Sequence, residues 1–202
     1  MFTGIITDIG TVRSVEQRGD LRLTIGTAYD LATVDLGASI ACAGVCLTVV
    51  DKGDDWFAVD VSHETVLRTA SRWSEGAKLN LERALKMGDE LGGHLVTGHI
   101  DGTGTVRGIC PDGGSIRIGV HVPRDIGQFI ATKGSITLDG VSLTVNEVKD
   151  GDDGTTDFAI NLIPHSAEHT TLGAVSAGQA LNIEIDVLAR YLKRLEESRS
   201  HA

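Results

Sequence analysis

The chain contains one six-residue phrase twice, and this repeat limits its possible folds more than any other feature. Residues 44–49 read Gly-Val-Cys-Leu-Thr-Val, and residues 140–145, 96 positions later, read Gly-Val-Ser-Leu-Thr-Val. A repeat near half of the 202 residues indicates a duplicated domain, since solenoid units are about 20–50 residues long. The single difference, Cys46 against Ser142, exchanges one nucleophilic side chain for another. We therefore expect two related domains that differ in role at this position.

Matches on either side of the phrase extend the repeat over most of the chain. The matched positions are Thr3-Gly4 with Thr97-Gly98, residues 10–12 with residues 104–106, and Asn80 and Glu82 with Asn182 and Glu184. The spacing grows from 94 to 102 residues along the chain, as loops of different length in two copies would produce. The sequence predicts a first domain over residues 1–97 and a second over residues 98–186, with residues 85–94 as the join.

Short segments rich in Val, Ile, Leu and Thr recur six times in each half, and 25 glycines against 3 prolines supply the turns. The expected strands are residues 4–15, 21–26, 39–41, 45–52, 56–61 and 78–82, then residues 98–109, 115–122, 135–138, 141–148, 157–163 and 180–185. Short strands with frequent turns indicate a small barrel rather than a parallel sheet, and closure removes exposed strand edges. Short helices are expected at residues 29–36, 64–71, 124–130 and 166–170.

Apolar residues recur at helical spacing after Asp186, which predicts a C-terminal helix over residues 187–199. Positions 187, 188, 191, 192 and 195 form one narrow stripe. A helix this short is marginal on its own in water, so the stripe must pack against something. It either covers the chain's own barrel or forms a contact between copies of the chain, and both interpretations stay open.

Charge and cysteine usage narrow the function classes. A formal net charge of −10 argues against nucleic acid and anionic membrane surfaces as partners. Three cysteines, no Cys-x-x-Cys pair, no secretory leader and no transmembrane run indicate a reduced, cytoplasmic protein. The sequence also has no Cys/His cluster with zinc-site spacing and no phosphate-binding glycine fingerprint.

Several motifs together resemble one known family. They are Met-Phe-Thr-Gly-Ile at residues 1–5, Gly-Gly-His-Leu-Val-Thr-Gly-His at residues 92–99, the two repeated phrases, and Asn-Ile-Glu-Ile-Asp at residues 182–186. In order, spacing and coverage they resemble the riboflavin synthase family. The resemblance implies an all-β fold of two homologous six-stranded Greek-key barrels in tandem, each binding a lumazine, and a C-terminal helix that forms a homotrimer.

The resemblance also implies a reaction. Two molecules of 6,7-dimethyl-8-ribityllumazine would exchange a four-carbon unit, giving riboflavin and 5-amino-6-(ribitylamino)uracil. The resemblance implies that neither a metal nor a redox cofactor is needed, because the substrate supplies its own electron sink. The active site would lie between the N-terminal barrel of one subunit and the C-terminal barrel of its neighbour, and lumazine synthase is a candidate partner. The alternatives are a non-catalytic lumazine- or flavin-binding antenna protein on the same fold, and a flavin domain of a reductase.

Cys46 and Ser142 are the first candidate catalytic residues. By resemblance, Cys46 would add to C7 of one lumazine, polarise it, or position a water molecule there. The plainer alternative is a small buried side chain, which is the usual state of a free cysteine. Ser142 and Thr144 match family hydroxyls near the bound ring, and strand alternation places both on one face, opposite their apolar neighbours. Thr48 is the first-barrel counterpart of Thr144.

His99, Asp186 and Phe2 complete the candidate catalytic set. His99 has Ile5 as its counterpart, and an imidazole present in only one copy favours an acid–base task over shared packing. Asp186 either hydrogen-bonds Ser142 or caps the C-terminal helix, as Asp often does. The resemblance implies that the segment containing Phe2 folds over the site, where the ring can contact stacked ligands.

The remaining candidates are substrate-binding residues that follow from the resemblance. They are Gly4, Ile5, Ser39, Thr48, Val61, Ser62, Thr65, Gly98, Ile100, Lys133, Thr144, Ile163 and Ser166. Two places depart from the family pattern: the second barrel has His165 before Ser166 where the first keeps Glu64, and Ala43 replaces a polar residue that the second copy keeps as Asp139. We assign His94 to stabilising the turn at the join.

Overall fold

A computed structural model describes residues 1–200, which form two closed six-stranded barrels and a C-terminal helix. The strands of the first barrel are β1 (Asp8–Arg18), β2 (Asp20–Gly26), β3 (Ser39–Cys42), β4 (Val45–Lys52), β5 (Trp56–Val61) and β6 (Lys78–Arg83). Those of the second are β7 (Gly102–Asp112), β8 (Ser115–Val122), β9 (Ser135–Leu138), β10 (Val141–Asp150), β11 (Thr156–Leu162) and β12 (Ala180–Ile185). The predicted all-β fold with two six-stranded barrels is confirmed.

Both barrels have the same cyclic strand order. The first runs β1-β2-β5-β4-β3-β6, and the second has the equivalent order of β7 to β12. The strands β3, β4 and β5 are neighbours in sequence order, and β5 then pairs with β2 instead of continuing outward. This connection is a Greek key. The hydrogen-bonded ladder slips at equivalent places in the two copies, at Val49/Asp51 and at Val145/Glu147. Such bulges bend and twist strands, which helps a short sheet to close.

Strand alternation places the core inside each barrel. On β4, Val45, Leu47 and Val49 are at most 6 % exposed and join the first core, whereas Thr48 faces outward. Burying such a side chain contributes about 1.5–3 kcal/mol. The same alternation on β10 buries Val145 and leaves Thr144 exposed. The outward faces of β4 and β10 are therefore available to a ligand.

The helices are short and lie between strands, except for the last. They are α1 (His63–Arg68), α2 (Arg124–Gly127), α3 (Pro164–His169) and α4 (Val187–Ser200). The helix predicted over residues 29–36 is wrong in extent, because only a 3-10 turn forms there, at Leu31–Thr33. A second 3-10 turn, Thr171–Ala174, follows α3.

Two strand predictions began too early. Residues 4–15 and 98–109 were expected to be strands, but β1 starts at Asp8 and β7 at Gly102. Gly4 and Gly98 have φ of +77° and +79°, which no strand residue adopts. The segments that precede β1 and β7 therefore lie outside their own sheets. At these glycines each segment contacts the other half of the molecule.

The helix α4 leaves its apolar stripe uncovered. Leu188, Tyr191, Leu192 and Leu195 are 57–67 % exposed, and α4 contains no buried residue. The first interpretation of the stripe, that it covers the chain's own barrel, is therefore not what the structure shows. None of the helices within residues 1–200 has the length and apolarity that a membrane span requires.

The two barrels meet through reciprocal contacts. The amide of Asn80 donates to the carbonyl of Asp139 at 3.0 Å and accepts from the Thr171 N–H at 2.8 Å. In the opposite direction, Asn182 donates to the carbonyl of Ala43 at 2.8 Å and accepts from the Ala70 N–H at 2.7 Å. These asparagines occupy matched positions of the repeat. Each barrel therefore contacts the other through its own copy of this asparagine.

Candidate active site

A glycine segment from each half reaches the repeated phrase of the other half. The carbonyl of Gly98 accepts a hydrogen bond from the Cys46 N–H at 2.9 Å, and the carbonyl of Gly4 accepts one from the Ser142 N–H at 2.8 Å. A β-carbon added at either glycine would lie 2.5 Å from the β-carbon of Cys46 or of Ser142. Only glycine allows this approach, which brings the motifs around Gly98 and Cys46 together from opposite halves.

A buried glutamate anchors each crossing segment. Glu82 accepts hydrogen bonds from the N–H and hydroxyl of Thr3 and from the N–H of Gly4, at 2.7, 2.8 and 2.8 Å. Glu184 does the same for Thr97 and Gly98, at 2.7, 2.6 and 2.9 Å. Burial raises the pKa of Glu82, and the hydrogen bonds from Thr3 and Gly4 oppose that rise. Three donors on one carboxylate fix the backbone of the segment.

The sequence shows these anchoring glutamates as matched repeat positions, but no role was predicted for them. Glu82 and Glu184 were repeat positions, and both lie in strands where neighbouring side chains are buried. A buried acidic residue is rare unless it has partners. The available signal was therefore a matched pair of glutamates in apolar strands, together with the matched Thr-Gly pairs that they bind.

A cavity of about 420 Å³ opens beside Cys46 on the first barrel, within the usual size range of small-molecule sites. Five of the predicted residues meet there, although they come from three separate stretches of sequence. They are Cys46, Thr65, Gly98, His99 and Ile100. The wall is formed by β4, by α1 and by the crossing segment that follows Gly98. This is the first pocket.

Three charged residues in the first pocket were not predicted. Glu64 and Arg68 form an ion pair at 2.8 Å along α1, and both side chains are more than two-thirds exposed. Asp101 also lines the pocket, and burial raises its pKa against hydrogen bonds from Ile185 and Arg190. The pocket thus combines a thiol and an imidazole with fixed charges at its rim.

The corresponding region of the second barrel places Ser142 beside His94. The Ser142 hydroxyl lies 2.8 Å from Nδ1 of His94, and the backbone N–H of His94 donates to the carbonyl of Thr3 at 3.1 Å. Burial lowers the pKa of His94, while nearby Asp186 acts to raise it. The buried Nε2 of His94 has no hydrogen-bond partner within residues 1–200. The imidazole of His94 therefore contacts a candidate catalytic hydroxyl, whereas a role in the turn at the join was predicted.

The helices α1 and α3 present different side chains at matched positions. Where α1 has the ion pair of Glu64 and Arg68, α3 has His165 and His169, whose rings stack with centroids 4.2 Å apart. Ser166 on α3 takes the place of Thr65 and keeps a hydroxyl. The second half therefore has two imidazoles where the first half has two charges.

Several predicted binding residues lie on the outward face of the strands or at their ends. Ser39 pairs with Thr48 across β3 and β4. Lys133 has φ of +67°, and its N–H donates to the carbonyl of Val145 at 2.7 Å. Ile163 is 54 % exposed at the start of α3. These positions are accessible from outside the barrels.

Other predicted residues have structural contacts. The side chain of Val61 is fully buried in the first core, and Ser62 caps α1 by accepting from the Thr65 N–H at 3.2 Å. Asp186 accepts from the Leu188 N–H at 2.9 Å, which is a cap-type contact at the start of α4. Ile5 is 46 % exposed beside Gly4. Of the two roles open for Asp186, the structure shows the cap.

Phe2 lies beneath Cys46. It has no exposed surface, packs in a small cluster with Ala41 and Val96, and exchanges backbone hydrogen bonds with Val96 at 2.8 and 3.1 Å. Cys46 packs against the same cluster. The position of Phe2 supports the floor of the first pocket, and its ring is covered where direct ligand contact was expected. Among residues 1–200, no three His, Cys, Asp or Glu side chains are grouped as a metal site.

Comparison with known proteins agrees with this architecture. The family model of the lumazine binding domain matches twice, at residues 3–84 and 97–186. Crystal structures of LumP complexed with riboflavin and with 6,7-dimethyl-8-(1'-D-ribityl) lumazine superpose with TM-scores of 0.79 and 0.77, at 28 % and 26 % identity. Each match covers 92 % of this chain and 99 % of the other. The fold and its paired sites define the class of duplicated lumazine-binding barrels.

Full-length relatives specify the family within that class. Riboflavin synthase of Brucella abortus is 50 % identical over 98 % of both chains. Riboflavin synthase of Mycobacterium bovis is 42 % identical over 98 % of this chain and 99 % of that protein. The chain belongs to the riboflavin synthase family.

Proposed function

We propose that this protein converts two molecules of 6,7-dimethyl-8-ribityllumazine into riboflavin and 5-amino-6-(ribitylamino)uracil. The observation that carries the proposal is the pair of related sites, each closed by a glycine segment from the other half. One lumazine loses a four-carbon unit and the other gains it, so atoms and electrons balance without an added oxidant or reductant. Holding both rings in a fixed orientation makes their encounter effectively unimolecular.

In the first pocket, Cys46 and His99 are the groups proposed to act on the lumazine. Both line the cavity, with Thr65 on the wall formed by α1. The thiol of Cys46 would meet C7 of the ring, and the imidazole of His99 would move protons to and from the ring and its C7 methyl group. Thr65 and Ser39 would bind the pyrimidinedione edge and the ribityl hydroxyls.

In the second barrel, Ser142 and His94 form the proposed proton-handling pair. Burial lowers the pKa of His94, which favours the neutral imidazole, and a neutral ring can accept a proton through Nδ1 from the Ser142 hydroxyl at 2.8 Å. Ser142 could then receive a proton from a bound lumazine. Thr144, Ile163, Ser166 and Lys133 would hold that lumazine from the outward face.

The exposed stripe of α4 supports assembly into a homotrimer. Four large apolar side chains on one short helix are covered when copies of α4 pack together. Residues 1–97 and 98–186 would then be the two lumazine-binding domains, with residues 187–199 as the trimerisation helix and each active site formed between neighbouring subunits. A cytoplasmic location and an association with lumazine synthase belong to the same proposal and rest on the family alone.

Product analysis tests the activity. Purified protein is incubated with 6,7-dimethyl-8-ribityllumazine and no other additive, and the products are separated by chromatography. We expect one riboflavin and one pyrimidinedione for every two lumazines consumed. Cys46→Ala and His99→Ala should lower turnover more than ligand affinity, since both groups are assigned to chemical steps. Tight lumazine binding by the unsubstituted protein without riboflavin formation would instead support the antenna alternative.

A further inference from the structure

Asp101 is a partly buried acidic residue that lines the first pocket, and the proposed chemistry does not use it. It follows His99 by two positions, and its side chain is 18 % exposed. Its Oδ2 accepts from the backbone N–H of Ile185 at 2.9 Å, and its carboxylate meets Nη2 of Arg190 at 3.0 Å. A carboxylate with these partners is fixed in place, so it also fixes the chain segment on which His99 lies.

Arg190 brings the C-terminal helix into contact with this pocket. It lies in the first turn of α4, and its guanidinium group reaches Asp101 on the barrel. One helical turn further on, Arg194 forms its ion pair with Glu197 within α4, at 3.9 Å. No residue of α4 is buried, and Arg190 gives the helix a charged contact with the wall of the first pocket.

The other half of the molecule has no equivalent link. The position matched to Asp101 is Thr7, whose hydroxyl lies 2.5 Å from the hydroxyl of Tyr29. An acid at residue 101 is therefore not required by the shared barrel architecture. It belongs to the one pocket that contains Cys46 and His99, and to the one half that is followed by α4.

We infer that Asp101 is a positioning residue that ties the His99 wall of the first pocket to α4, so that this pocket takes its working geometry when α4 is held in place. The inference rests on the proposed function, in which copies of the chain pack through α4. Packing of α4 would fix Arg190, Arg190 would fix Asp101, and Asp101 would fix His99 opposite Cys46. Assembly would thereby be coupled to turnover.

Two substitutions test this inference against a matched control. Arg190→Met removes the contact, and Asp101→Asn keeps an acceptor for the Ile185 N–H while removing the charge. Arg194→Met removes an arginine from the same helix without touching the barrel. We expect Arg190→Met and Asp101→Asn to lower kcat by roughly 10-fold to 100-fold, the size expected for a small misplacement of a catalytic group. Arg194→Met should leave kcat unchanged.

Three further readings separate positioning from a structural role. KM should change little in Arg190→Met, light scattering should show an unchanged assembly, and Arg190→Lys should restore most of the lost kcat. The double variant Arg190→Met/Asp101→Asn should be no slower than either single variant, because both break one contact. Equal kcat in Arg190→Met and Arg194→Met, or a loss explained by dissociation of the assembly, would overturn the inference.

Failure of the proposed function would be visible in the unsubstituted protein. If that protein binds the lumazine without making riboflavin, the activity is wrong, and the inference is then tested on affinity by titration with the same lumazine. Weaker binding by Arg190→Met than by Arg194→Met would support it, and equal binding would contradict it.

Discussion

The two sites of this protein share a backbone arrangement and differ in the groups that it presents. Both use a left-handed glycine against a strand N–H, and both anchor that glycine through a buried glutamate with three donors. The first site presents Cys46 and His99, whereas the second presents Ser142 with a histidine from the join. The two copies thus share the backbone elements that position these residues, while the side chains presented there differ.

The junction between the barrels also combines contacts that both copies share with a contact that only one copy has. Asn80 and Asn182 make matched contacts in both directions, but Arg72 pairs with Asp139 at 2.7 Å in one direction only. The matched position of Asp139 is Ala43, and both turns have nearly the same φ, +46° and +47°. The turn geometry therefore does not need the acid, and Ala43 leaves the first turn without the ion pair found in the second.

The largest effect is expected from replacing the crossing glycines. Gly98→Ala places a β-carbon 2.5 Å from that of Cys46, and Gly4→Ala does the same at Ser142. Since the crossing segment must shift, we expect turnover to fall by roughly 100-fold or more in both variants. Steady-state assays of riboflavin formation measure this loss.

Gly76→Ala is the matched control for these glycines. Gly76 also has a left-handed φ, +81°, but an added β-carbon meets nothing within 4 Å. It should cost about 1–2 kcal/mol of backbone strain and leave turnover per folded chain unchanged. If Gly98→Ala and Gly76→Ala lose activity equally, close approach at Cys46 does not shape the site.

An intermediate effect is expected from Arg72→Met, which removes the cation beside Asp139. Burial raises the pKa of Asp139 even with Arg72 present, and Asp139 is 1 % exposed. Removing one partner of a buried ion pair lowers the free energy of unfolding by up to about 3–5 kcal/mol. Because the Arg72 side chain is 19 % exposed, we expect a smaller loss for this pair. Urea unfolding measures the change, and Asn80→Ala provides a comparison on the symmetric contact.

The loss in Arg72→Met should depend on pH. A carboxyl whose folded-state pKa lies above its unfolded value destabilises the fold once it ionises, so the penalty is largest near pH 8. It should shrink as the pH falls through that raised pKa, and Arg72→Met/Asp139→Asn should lose the dependence. The same loss at every pH would mean that packing, rather than the charge on Asp139, accounts for it.

The smallest effect concerns the helix starts. Ser62 caps α1, whereas Ile163 gives α3 no side-chain cap. Ser62→Ala should lower the free energy of unfolding by about 1 kcal/mol, and Ile163→Ser should raise it by less than about 1 kcal/mol. Urea unfolding without ligand checks both. A Ser62→Ala variant as stable as the unsubstituted protein would show that the two helix starts do not differ in this way.

Sequence reasoning succeeded where local patterns decide the structure. The doubled phrase predicted the duplicated barrels, and alternation on β10 placed Thr144 outward. It failed at residues 4–7, because the apolar Gly4-Ile5-Ile6 stretch resembles a strand, whereas hydrogen bonds from Thr3 and Gly4 to distant Glu82 pull it out of the sheet.

Contacts between distant residues account for the other omissions. His94 meets Ser142, 48 positions away, and Asp101 meets Arg190, 89 positions away. No periodicity or local motif in one sequence links such pairs. They become visible only when the barrels, the join and α4 are placed together.

We propose that each chain has two lumazine sites built on one scaffold, and the number of ligand molecules bound per chain tests this proposal. Equilibrium dialysis with 6-methyl-7-oxo-8-ribityllumazine, which has no C7 methyl group to ionise, avoids turnover during the measurement. We expect two bound molecules per chain at saturation, and one per chain when the crossing glycine of a single pocket is replaced by alanine. A single site in the unsubstituted protein, filled by one molecule per chain, would contradict it.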